Sequence, residues 1–237
     1  MTDLCEPEPW FLEALPQLGL REGSRVLMLT VGASDQVEAI LQRIGAEGSL
    51  TIIEPDGDRV GSLERIQHES LTVLHYTPDG EESFGVHDLL LGAPLRTPCW
   101  ADSMWGDLAR SNLRPGGRFL LDLPGERHCA AASEAWLDVG GDEETLDRWN
   151  GPNERGLAKQ LAQSGLRNVE GFATSHLMPF DSPQEAAESL AVMLGLDLRS
   201  EDAQKRTDDL RLAIAKRCDA GANLELVFQR SRITGMR

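Results

Sequence analysis

The sequence predicts an α/β protein built on a seven-stranded, mostly parallel sheet with helices on both faces. Three observations predict it. Short runs of β-type residues alternate with helical stretches along the chain, the pattern that a parallel sheet with crossover helices requires. Two of the runs, Arg25–Leu29 and Asp88–Leu91, are almost wholly apolar, as strands covered on both faces must be. The chain has 237 residues, 41% of them hydrophobic, enough for one large core. One domain is therefore expected over residues 1–237, with a core of sheet and helices at 20–180, a helical insertion at 182–219 and a last strand at 223–230.

The elements follow in order. Trp10–Leu15 reads as a short amphipathic helix that ends near Pro16 and Gly19. After the turn Arg21-Glu22-Gly23-Ser24, the first strand is Arg25–Leu29. Thr30–Asp35 is a loop, and Ser34 or Asp35 can cap a helix that runs to about Ile44. Ser49–Ile53 is the second strand, closed by Glu54 and Pro55, and a helix covers about 58–67. Leu71–His75 is the third strand and Asp88–Leu91 the fourth. A helix spans Asp102–Asn112, and Arg114-Pro115-Gly116-Gly117 makes a tight turn into the fifth strand, Arg118–Leu123. A helix at Glu154–Ser164 ends at Gly165, and Asn168–Ala173 is the sixth strand. Ser182, Pro183 and Glu185 form a capping box that opens a helix running to Gly195. A second inserted helix spans about 202–218, before the seventh strand, Asn223–Phe228.

Charge and cysteine usage exclude several classes. The formal net charge is −16, a surface that repels nucleic-acid phosphates and anionic membranes. No apolar run approaches the roughly 20 residues of a membrane span, and the acidic start has no basic n-region, so a cytoplasmic location is expected. Cys5, Cys99, Cys129 and Cys218 form no Cys-x-x-Cys pair, and the five histidines lack ligand spacing. No structural metal is expected.

The ordered features Glu22–Leu27, Glu54 at the end of the second strand, Asp88–Leu91, and Asn112-Leu113-Arg114-Pro115-Gly116-Gly117-Arg118-Phe119-Leu120-Leu121 resemble the class I S-adenosylmethionine-dependent methyltransferases over residues 10–180. The resemblance implies a cofactor site beyond the carboxyl ends of the strands, where open α/β sheets bind ligands. It assigns cofactor contacts to Thr30, Gly32 and Ser34 in the first loop, Glu54 and Pro55 after the second strand, Asp79 after the third and Gly92 after the fourth. A carboxylate at Glu54 can accept from both ribose hydroxyls. The first loop departs from the family pattern. Met28 takes the place of its acid, and Thr30, Gly32 and Ser34 stand where three glycines are usual. The Gly-x-Gly-x-x-Gly fingerprint of nicotinamide enzymes is absent as well.

Methyl transfer is an in-line displacement that rests on holding donor and acceptor together, so no universal catalytic residue is expected. His75, Asp122, His128 and His176 lie near strand ends. His128, in the loop beyond the fifth strand that faces the acceptor in the family, is the candidate catalytic residue. Four of the five tryptophans, Trp100, Trp105, Trp136 and Trp149, are core residues by default, or the lining of a pocket for a small, partly apolar acceptor. The resemblance implies S-adenosylmethionine as cofactor and a small-molecule acceptor. The alternative is a methyltransferase-like domain without catalysis that binds a partner. A homodimer or a protein partner is left open.

Overall fold

The computed structural model describes residues 15–29, 34–77, 82–93, 103–194, 196, 200–217 and 224–237. It contains one seven-stranded sheet of order β3-β2-β1-β4-β5-β7-β6. The strands are β1 (Arg25–Leu29), β2 (Ser49–Glu54), β3 (Leu71–His75), β4 (His87–Gly92), β5 (Leu113–Pro124), β6 (Arg167–Phe180) and β7 (Leu224–Met236). The pairs β1–β2, β2–β3, β1–β4 and β4–β5 are parallel, and β7 runs antiparallel to both its neighbours.

Alternation along each strand decides which helix it meets. Val26 and Met28 of β1 join Val37, Ile40, Leu41 and Ile44 of α1 (Ser34–Ile44) in one buried cluster. Leu27 and Leu29 join another, with Trp105 and Leu108 of α3 (Ser103–Asn112) and Leu157 and Leu161 of α6 (Glu154–Gln163). The short α2 (Gly57–Leu63) contributes Leu63 to the first cluster. Residues 15–18 form a helical turn whose Leu15 and Leu18 are buried there too. The rest of the helix expected at Trp10–Leu15 lies outside the described residues.

The largest departure from the sequence reading is at the end of the chain. The seventh strand, expected within 223–230, is 13 residues long, and the sixth, expected at 168–173, is 14. They pair from Arg167↔Met236 to Phe180↔Leu224, with an irregularity near Asn168, where φ is +50°. β5 ends at Pro124, opposite Arg230. Residues 175–180 and 224–229 therefore continue as a two-stranded ribbon beyond the carboxyl end of β5.

A two-stranded ribbon is marginal alone in water. Here it is covered by a third buried cluster, in which Phe180, Leu226 and Phe228 of the ribbon meet four helices. These are α4 (Ala130–Asp138), α5 (Glu143–Trp149), α7 (Pro183–Met193) and α8 (Glu201–Arg217). The first two were not assigned from sequence. Trp136 of α4 is buried, donates Nε1–H to the Asp142 carbonyl at 3.1 Å, and lies under the Arg206 guanidinium of α8 at 5.5 Å from its ring centroid. Arg217 ties α8 to α4 through Glu134 (2.6 Å) and Asp138 (2.5 Å).

The capping box of α7 forms with one shift. Ser182 Oγ accepts from the Glu185 N–H at 3.2 Å, but the Glu185 carboxylate reaches back to the N–H of Asp181, at 2.8 Å. Among the described residues Cys129 is a buried free thiol, and no helix is long and apolar enough to cross a membrane.

Candidate functional site

The carboxyl ends of β1, β2, β3 and β4 lie side by side. Leu29, the last residue of β1, pairs with Ile53 on one side and Gly92 on the other, and Glu54 pairs with His75. The strand order reverses between β1 and β4, since β2 and β3 extend the sheet one way and β4 onward the other. Open α/β folds take their ligands at the carboxyl end of the sheet beside such a reversal. Glu54 and Gly92 therefore come to one edge, on either side of the point where the loop after β1 begins. Thr30, Gly32 and Asp79 lie outside the described residues, and Ser34 is the first residue of α1.

The Glu54 carboxylate is only 2% exposed. A charge taken out of water must be hydrogen-bonded or paired, and the turn after β2 together with the start of α2 provides both. Oε1 accepts from the Asp56 N–H at 3.2 Å, and Oε2 lies 3.8 Å from Arg59 Nε. The carbonyl of Pro55 is 3.2 Å from His75 Nε2, and the His75 ring rests on Gly57. His75 thus buttresses the turn that carries Glu54.

Gly92 has its own packing reason to lack a side chain. A Cβ there would stand 2.7 Å from Cζ3 of Trp105 and 3.0 Å from Leu121 Cδ2. Gly92→Ala should therefore destabilise the protein by about 1–3 kcal/mol, the usual cost of overpacking a filled core. Urea denaturation measures it, and an unchanged midpoint would mean that Trp105 has room to move.

In β5 and beyond it, the sequence candidates are engaged within the protein. Asp122 is fully buried and holds two guanidiniums, Arg230 Nε on Oδ1 at 2.8 Å and Arg232 Nη2 on Oδ2 at 2.6 Å. Arg230 also donates to the Asp122 carbonyl. The two arginines alternate with Ser231, so both fall on one face of β7, and Arg232 is the register partner of Asp122. The sequence reading missed both, together with Arg59.

His128 is 2% exposed, with Nδ1 2.6 Å from the Gln229 carbonyl and its ring edge-on to Phe228. Burial, with a smaller contribution from the Arg230 charge, pushes its pKa down to about 3. The ring is neutral at pH 7 and a weak base, and it pins the loop beyond β5 to the root of the ribbon. His176 pairs with Phe228 across the ribbon and has Nε2 3.1 Å from Thr174 Oγ1.

No family profile matches the sequence, and no curated protein matches it. Solved structures do. The YcgJ protein of Bacillus subtilis superposes over 96% of this chain and 97% of its own, with a TM-score of 0.61 at 12% identity. Phosphoethanolamine N-methyltransferase 2 of Haemonchus contortus, solved with S-adenosyl-L-methionine, matches 96% of this chain and 52% of its own, with a TM-score of 0.57 at 13% identity. An S-adenosylmethionine-dependent O-methyltransferase of Thermotoga maritima matches all of this chain and 67% of its own, with a TM-score of 0.52 at 12% identity. With the sheet order and the reversed seventh strand, these likenesses show that the chain has the fold of the class I S-adenosylmethionine-dependent methyltransferases.

Proposed function

We propose that the chain binds S-adenosylmethionine in the crevice between β1 and β4 and transfers its methyl group to a small-molecule acceptor. The observation that carries this reading is the placement of Glu54. It is a buried carboxylate one strand from the reversal of strand order, held in place by the Asp56 N–H and Arg59. A carboxylate at this place suits a pair of vicinal hydroxyls, because its two oxygens can accept from two donors at once. In this reading Thr30, Gly32 and Ser34 line the methionine end, Glu54 and Pro55 the ribose, and Asp79 and Gly92 the base and its surroundings. When bound, the sulfonium supplies an electrophilic methyl group, and the protein's part is to orient it toward the acceptor. His128 serves on the acceptor side, by fixing the loop beyond β5.

One observation favours the second reading, a domain that binds a partner without catalysis. Met28, at the position of the family's first acid, is fully buried in the apolar cluster with Val37 and Ile40, so it offers a cofactor nothing polar. Calorimetric titration with S-adenosylmethionine and S-adenosylhomocysteine decides between them. Micromolar binding, about −8 kcal/mol, is expected, weakened roughly 10- to 100-fold in Glu54→Ala through the loss of hydrogen bonds to a charged acceptor. Folded, ligand-free protein that takes up neither compound at millimolar concentration would leave only the second reading.

A further inference from the structure

At the opposite end of the sheet, where β1, β4 and β5 begin, the surface holds a concavity of about 390 Å³. Its polar lining comes from Arg21, Ser24, Asp88, Arg114 and Arg118. Three guanidiniums thus meet one carboxylate, on a protein whose net charge is −16. Asp88 is already engaged, with Oδ1 2.5 Å from Arg114 Nε and Oδ2 accepting from the Arg25 N–H at 2.9 Å. Burial alone would raise the pKa of Asp88, but the Arg25 N–H and the Arg114 guanidinium outweigh it and hold the carboxyl below its ordinary range. Asp88 therefore remains charged and spoken for.

Arg21 and Arg118 are different. Among the described residues, neither guanidinium meets a carboxylate or a hydrogen-bond acceptor. Arg118 lies over Gly19, where a Cβ would be 3.2 Å from its Nη1, so the turn after residues 15–18 leaves room for the guanidinium at the pocket wall. An acidic protein that gathers arginines in a concavity, with their charge uncompensated, leaves an excess of positive potential that an anion would relieve. Arginine's planar fork matches a tetrahedral oxyanion bidentately.

The geometry points to a binding site for a small phosphate-bearing molecule at the amino end of the sheet, with Arg21 and Arg118 as its principal contacts and Arg114 at its edge. Five residues of β1 separate it from the cofactor crevice, roughly 16 Å at strand rise. The two sites are therefore separate, and this inference does not rest on the methyltransferase reading.

The test is calorimetric titration at low ionic strength with inorganic phosphate, pyrophosphate and adenosine monophosphate, against chloride at matched ionic strength. Arg21→Gln and Arg118→Gln change exposed side chains and spare the Asp88 pairs. Each is expected to weaken phosphate binding about tenfold or more, as loss of a charge-assisted hydrogen bond does. Lys159→Gln, on the exposed face of α6, is expected to change nothing, and S-adenosylmethionine affinity should be the same in all variants. Phosphate compounds that bind no better than chloride would overturn the proposal. So would undiminished binding by the Arg21→Gln, Arg118→Gln double variant, which would place the anion elsewhere.

Discussion

Asp122→Asn should cost the protein about 3–5 kcal/mol, the usual penalty for removing one partner of a buried ion pair. The reason is the asymmetry of the site. Asp122, Arg230 and Arg232 are at most 3% exposed, and the single carboxylate takes Nε of Arg230 on one oxygen and both Nε and Nη2 of Arg232 on the other. An amide in its place presents N–H groups toward guanidiniums that cannot accept, and the positive charges lose this carboxylate in a medium of low polarity. Urea denaturation of the variant beside the wild type measures the loss. Should the variant fail to fold, a triple variant, Asp122→Leu with Arg230→Met and Arg232→Met, keeps the idea open to refutation. Replacing all three charges with apolar groups of similar bulk removes the desolvation cost with the pairing, so this protein should fold and recover most of the lost stability. A single Asp122→Asn that unfolds at the wild-type midpoint would show that water or another group already neutralises the arginines.

The same three residues mark where the sequence stops being readable. β1 to β4 and the body of β5 were legible because their apolar runs are short and regular, but β5 begins at Leu113 and takes in residues 114–117, which the sequence reads as a turn. Beyond Phe228 the chain reads Gln229-Arg230-Ser231-Arg232, and a run rich in Arg ordinarily means a solvated surface. Only a partner on another strand reverses that inference. Asp122, an acid inside the apolar run Phe119–Leu123, was the available signal, since Arg230 and Arg232 sit two residues apart and share a face. Helices α4 and α5 were missed for a different reason. α4 begins after Cys129, in the left-handed region at φ +50° with no side-chain cap, and Gly140-Gly141 interrupts any continuous period.

Of the candidate site, Glu54 and Gly92 could be singled out by their places at strand ends, and pairing brings those ends to one edge of the sheet. The Asp56 N–H and Arg59 that hold Glu54 were not found, because they act through the shape of a turn rather than through a spacing in sequence.

Lowering the pH from 6.5 to 4 should remove about 3 kcal/mol of stability through His128 alone. The imidazole has an ordinary pKa of 6.5 in the unfolded chain and about 3 in the folded one, chiefly because it is buried and secondarily because Arg230 is charged. Above pH 6.5 the ring is neutral in both states, and His128 makes stability no more sensitive to pH. Between 6.5 and about 3 the unfolded chain takes up a proton that the folded chain refuses, so each unit of acidification favours unfolding by about 1.4 kcal/mol. Other groups titrate in the same range. His87 has its pKa lowered too, mainly by burial, and the lowered carboxyl of Asp88 contributes at the acid end. A comparison with His128→Gln cancels them. The amide can still donate to the Gln229 carbonyl but cannot titrate. Urea midpoints taken at pH 6.5 and pH 4 should therefore fall more steeply in the wild type than in the variant, by the stated amount. Equal slopes would mean that the ring is already protonated in the folded protein near pH 6, and an imidazole NMR titration of the native state would show it directly. If the slopes differ as expected, His128 is one of the groups through which acid destabilises this protein, because unfolding lets a proton reach the ring packed on Phe228 and Gln229.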